Sequence, residues 1–201
     1  MVRPRCAGFV YSQCEQAVML EDAKRLLGLG ADGFVFGFLN PDHSVNEPAV
    51  RKMTELIHSY GRTAVFHRAF DETADPFKAM ESLISCRIDR VLTSGHAGTA
   101  PLGAPLLKQL IEAYGSDIEI LPGCGINAEN IKELLAHTGA DQFHMTAKSM
   151  REDSGSYAAV DARNIQAVLS VLSTSKSSRS SLLTREDAEL LHQEQYEKQF
   201  F

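Results

Sequence analysis

Short apolar runs recur along the chain at residues 1–5, 33–39, 63–68, 90–94, 118–121 and 142–146. Each has the length of a buried strand rather than a helix. Between them, apolar positions return at helical spacing, which predicts helices over 15–29, 47–60, 76–86, 102–114 and 128–138, and a last one over 161–172. Strand and helix in strict alternation are the pattern of right-handed crossover units that build a parallel sheet, so the expected class is α/β.

Turn residues support these boundaries. Gly28 and Gly30 close the first helix and Gly139 the fifth, because glycine accepts the left-handed backbone needed just past a helix end. Asn127, with Asn130 three residues on, is placed to cap the fifth helix. The pattern changes after residue 172. Residues 173–182 are serine-rich and read as a flexible linker. Residues 183–201 read as a charged helical tail whose Leu190, Leu191 and Tyr196 form a narrow apolar stripe. The expected organisation is thus one domain over 1–172, a linker and a tail.

Composition narrows the class. A chain of 201 residues with 44% hydrophobic content is long enough for one buried core. The net charge of -6, with basic residues scattered, argues against a nucleic-acid partner. No apolar run approaches the roughly 18–20 residues of a membrane span, and residues 1–5 lack the apolar core of a signal peptide, so a cytoplasmic setting is expected. Cys6, Cys14, Cys86 and Cys124 are spaced too irregularly for a zinc ribbon or redox pair and read as free thiols. A soft-metal role for one or two stays open, since thiolate selects Cu(I).

Candidate chemistry collects at the predicted strand ends. Ala64-Val65-Phe66-His67-Arg68-Ala69-Phe70-Asp71 finishes an apolar strand with an imidazole, a guanidinium and a carboxylate. If the units wind a barrel, such ends converge on one mouth. His67 is the candidate for acid–base work or metal ligation, with Asp71 beside it, although a satisfied core histidine and a turn-capping aspartate explain the same residues. Arg3 and Arg5, two apart on a predicted strand, would share a face and hold an anion, or else form two structural ion pairs. Arg68 adds a third guanidinium. Thr93-Ser94-Gly95 ends the fourth run, and Gly123-Cys124-Gly125 ends the fifth just ahead of a predicted helix, where backbone amides bind phosphate or carboxylate. Lys148 would bring positive charge to that corner or lie on the surface.

Seven blocks in order carry a family resemblance. They are Met1-Val2-Arg3-Pro4-Arg5, Phe9-Val10-Tyr11-Ser12, Met19-Leu20-Glu21-Asp22, Gly30-Ala31-Asp32-Gly33-Phe34-Val35-Phe36-Gly37, the Phe66 to Asp71 block, Arg90-Val91-Leu92-Thr93-Ser94-Gly95 and Asn127-Ala128-Glu129-Asn130-Ile131. Together, from Met1 to about Lys148, they resemble the CutC copper-homeostasis family. The resemblance implies a TIM-type (β/α)8 barrel, of which about six βα units stand here, making it incomplete. It also implies a cytoplasmic protein that forms homo-oligomers and binds copper as Cu(I).

Three departures from the family pattern follow. Family members carry two further strands ahead of the Arg-Pro-Arg run, which supply a glutamate and the cysteines proposed as Cu(I) ligands, so the metal ligands here are unknown. The chain is therefore expected to be an incomplete gene model or isoform of a full barrel. Cys124 stands where the family has a third glycine, and the segment after Lys148 is shorter than usual. Two functions are expected from different classes: CutC-like copper binding and homeostasis, or a barrel enzyme acting on a small anionic or phosphorylated molecule with His67 as acid or base. A third reading is an oligomeric scaffold that docks through its tail.

Overall fold

A computed structural model describes residues 1–180. They form two compact units, residues 1–126 with 133–146, and residues 127–132 with 147 onward.

In the first unit, α1 (Gln13–Gly28) leads to β1 (Gly33–Phe36), α2 (Glu47–Ser59) to β2 (Thr63–Phe66), α3 (Pro76–Ser85) to β3 (Arg90–Thr93), and α4 (Ala104–Tyr114) to β4 (Glu119–Pro122). The strands form one parallel sheet in the order β1-β2-β3-β4, with Gly33 opposite Thr63, Val65 opposite Arg90 and Arg90 opposite Glu119. Each helix returns the chain to a parallel neighbour, as in a TIM-type α/β barrel, here an incomplete one.

The helices start where the sequence supplies side-chain acceptors for their first amides. Ser12 and Glu15 form a reciprocal capping box on α1, Asn46 accepts from Ala49 N–H on α2, and Asp75 accepts from both Phe77 and Lys78 N–H on α3. Pro48 and Pro76 fall in first turns, where a missing N–H costs nothing. Phe36 and Phe66 from the strands, with Met53, Ile57, Met80 and Leu83 from α2 and α3, are fully buried. At about 1.5–3 kcal/mol for each such side chain, this layer fixes the sheet on which the strand ends stand.

The two outermost runs differ from expectation. Residues 1–5 make no strand. Val2 N–H bonds Val35 O at 3.0 Å, but Pro4 has no N–H to continue a ladder. Residues 142–146 pair at one point, Gly123 with His144, where His144 N–H bonds Pro122 O at 2.9 Å.

A fifth helix, α5 (Ile131–Thr138), follows a turn in which Asn127 Oδ1 accepts from Glu129 and Asn130 N–H. In the second unit, β5 (Lys148–Glu152) and β6 (Ser156–Val160) form an antiparallel hairpin that the sequence pattern did not predict, with Lys148 opposite Val160. α6 (Ala162–Ser180) starts beside Asp161, which takes Arg163 N–H and its guanidinium and is held well below the usual carboxylate range. The helix runs past the expected end at 172 into the serine-rich stretch. Serine costs a helix only some tenths of a kcal/mol, roughly 0.5, so the composition alone does not stop it. The expected tail, 183–201, lies outside the described residues.

Candidate functional site

His67 leaves β2 in extended conformation and caps a short 3-10 helix, Arg68–Glu72. Its Nδ1 accepts the N–H of Ala69 at 3.1 Å. That bond occupies the Nδ1 lone pair, so the neutral imidazole carries its proton on Nε2. The residue is only 3% exposed, and Nε2 is buried with no hydrogen-bond partner on the protein. Burial first, and the nearby Arg3 guanidinium second, lower its pKa to about 4. At neutral pH, His67 therefore presents a buried N–H donor. The imidazole fits because Gly37 faces it: a Cβ there would lie 2.7 Å from both Nδ1 and Cε1.

Asp71, whose side chain is 7% exposed, organises the next strand end. It accepts from Arg68 Nε at 2.7 Å, from Thr93 Oγ1, from Ser94 N–H at 3.1 Å to each oxygen, and from His96 N–H at 3.2 Å. Its lone pairs are thus spent on the strand-end loop, and it is placed as a positioning residue. It was expected to cap the turn before Pro76; there, Asp75 is the residue that caps α3. Arg68 Nη2 also reaches Ser94 Oγ at 2.9 Å. Burial works against the charge on Arg68, but Asp71, and less strongly Cys124, overcome it and raise its pKa.

Thr93, Ser94 and Gly95 come together here, yet their donors point inward. Thr93 and Ser94 serve Asp71, and Gly95 N–H bonds Thr93 Oγ1 at 2.9 Å. Gly95, at φ 71°, packs on Gly103, whose carbonyl oxygen would stand 2.4 Å from an added Cβ. His96 follows. Thr73 Oγ1 donates to Phe70 O at 2.8 Å, so it accepts from His96 Nε2–H at 3.2 Å. Burial lowers the His96 pKa despite Asp71.

Arg3 and Arg5 part company because residues 4–7 bend rather than extend. Arg3 stacks on Phe9, 4.6 Å from the ring centroid, and Phe9 in turn packs 4.8 Å from His67. Arg5 pairs with Glu15 at 2.6 Å and bonds Val10 O, lying over Tyr11. A cavity of about 590 Å³ is lined by Arg3, Phe9, His67, Arg68, Asp71 and His96 among others, including Glu72 and Leu92. Arg5 does not line it.

Gly123 and Gly125 stand at the end of β4, but the expected helix start is not beside them, since α5 begins only at Ile131. Gly123 N–H is used by Thr93 O at 2.9 Å. Between the glycines, Cys124 sits at φ 84°, and its thiol bonds Gly98 O at 3.3 Å. Lys148 lies in the second unit as the first residue of β5. The sequence reading passed over His96, although it directly follows Thr93-Ser94-Gly95, and over Phe9 and Gly37, which signal nothing until the imidazole is placed between them.

A parallel β/α sheet with polar strand ends around a cavity places the chain among TIM-type α/β proteins. The model of the CutC family matches residues 1–149, and the chain belongs to that family. A CutC family protein of Treponema denticola is 46% identical over 153 residues, covering 76% of this chain and 61% of its own length. One from Bacteroides fragilis is 42% identical over 148 residues, 74% of this chain and 58% of its own. The chain therefore spans about three fifths of the length of these curated relatives. A solved chain described as a copper homeostasis protein, CutC, from Streptococcus agalactiae superposes with a TM-score of 0.67 at 31% identity, over 72% of this chain and 70% of that one.

Among the described residues no group of three His, Cys, Asp or Glu side chains converges. Cys6 and Cys14 are exposed, Cys86 is buried with its thiol on Glu47 O, and no cysteine lines the cavity. His67 offers an N–H where a metal needs a lone pair.

Proposed function

We propose that the chain serves copper homeostasis, with copper as cargo, and that its cavity admits a small anionic molecule. Family membership and the likeness to the Streptococcus agalactiae chain support the copper part. The anion part rests on one observation: a cavity sized for a small molecule, lined by Arg3, Arg68 and His67, whose buried Nε2–H has no hydrogen-bond partner on the protein. No copper step is assigned to residues of this chain.

The setting proposed is cytoplasmic; no described helix is long and apolar enough to cross a membrane. Self-association is proposed as well, supported in the second unit by the exposed Met150, Tyr157 and Val160 on the hairpin. Titrating the full chain with Cu(I) against a competing chelator tests the copper part. The reading expects measurable competition, and none at all would remove it.

A further inference from the structure

We infer that the cavity holds its ligand through a compact oxyanion group, a carboxylate or a phosphate. One oxygen accepts the Nε2–H of His67, and the negative charge faces the Arg3 guanidinium. This rests on the small-anion reading above and adds the recognising groups and their polarity.

Four observations converge. First, a buried donor without an acceptor is costly, and a ligand oxygen would satisfy it. Second, the Ala69 amide fixes the proton on the nitrogen left unpaired, so the partner must be an acceptor and not a cation. Third, the three arginines are unequal: Arg5 is paired with Glu15 and Arg68 with Asp71, whereas Arg3, whose Nη2 donates to Cys6 O at 2.6 Å, has no carboxylate partner among the described residues. Its guanidinium stands close enough to help depress the titration of His67. Fourth, Phe9 and Leu92 give the cavity an apolar side, which suits a ligand with a small hydrocarbon part next to its charged group.

Two carboxylates, Asp71 and Glu72, line the cavity with the arginines. Asp71 is consumed by Arg68, Thr93, Ser94 and His96, which leaves Glu72 as the other carboxylate in the lining. Because Nε2 is closed off from solvent, the groups around it must shift for the oxyanion to seat.

Calorimetric titration of the full chain at pH 7 tests this with two probes, inorganic phosphate and isovalerate, which separate the phosphate from the carboxylate form. One of them is expected to bind at one site per chain. Arg3→Gln should weaken that binding about tenfold or more, as should His67→Leu. His67→Gln, which keeps an N–H donor, should stay within about threefold of the parent. Failure of both probes to bind, or binding indifferent to Arg3→Gln, overturns the inference. Should His67→Leu not fold, the exposed Arg3 still decides. Cu(I) competition on the same preparation keeps the two ideas apart. Copper binding without anion binding sinks only the oxyanion site, and anion binding without copper sinks only the copper reading.

Discussion

The backbone N–H of Ser94 lies 3.1 Å from each carboxylate oxygen of Asp71, so the end of β3 is tied to the 3-10 helix that follows β2. Through the same carboxylate, Arg68 is aimed at Ser94. Asp71→Asn keeps the shape but turns two acceptors into one acceptor and one N–H₂ that meets donors. The expected loss is about 1–3 kcal/mol in urea unfolding, since a half-buried ion pair and the amide bonds to the buried carboxylate are broken together. A loss below about 0.5 kcal/mol, the range of ordinary surface changes, would contradict the role given to Asp71.

His67 makes stability depend on pH in a defined direction. The unfolded imidazole takes up a proton below its ordinary 6.5, whereas the folded one does so only near 4. The stabilising contribution is therefore whole above pH 6.5 and is lost as the pH falls from there toward 4. At about 1.4 kcal/mol per pKa unit the loss amounts to roughly 3 kcal/mol at most, and His96 acts in the same sense. Urea unfolding at intervals from pH 7 to 4.5 should give a shallower decline for His67→Gln than for the parent. Parallel declines would show that His67 titrates normally.

Gly37→Ala tests the fit of the imidazole. Its backbone φ is not in the left-handed region, so any cost is steric, from a Cβ 2.7 Å from Nδ1 and 3.0 Å from Ala69 Cβ. Overpacking of this kind costs about 1–3 kcal/mol, and it should disturb the Ala69–His67 bond in the amide spectrum. An unchanged Ala69 amide resonance would contradict the packing described.

Cys124→Gly should stabilise the chain. A non-glycine residue in the left-handed region costs roughly 1–2 kcal/mol, which the Sγ bond to Gly98 O offsets in part. The expected net gain, about 1 kcal/mol, is read from the urea midpoint. A loss would mean that the thiol contact outweighs the backbone strain.

Much of the fold was legible in the sequence because the signals are local. Apolar runs separated by helical spacing located β1 to β4, and glycines such as Gly139 marked helix ends. The Phe66 to Asp71 block spans the end of β2 and the 3-10 helix after it. What stayed hidden depends on distant pairs. That Asp71 is occupied by Thr93 through His96 is a relation across more than twenty residues. Arg3 and Arg5 were expected on one face, but alternation holds only for strands, and Pro4 prevents one there. The β5–β6 hairpin was missed because its Asp153–Gly155 turn follows a strand that is largely exposed.

Nitrogen-15 NMR of the full chain labelled in its histidines reads the proton on His67 Nε2. A neutral imidazole protonated at Nε2 is expected at pH 7 and still at pH 5.5, with that signal moving when the bound probe anion is added. A proton on Nδ1, a fully charged ring at pH 5.5, or a signal that ignores a bound anion would contradict it.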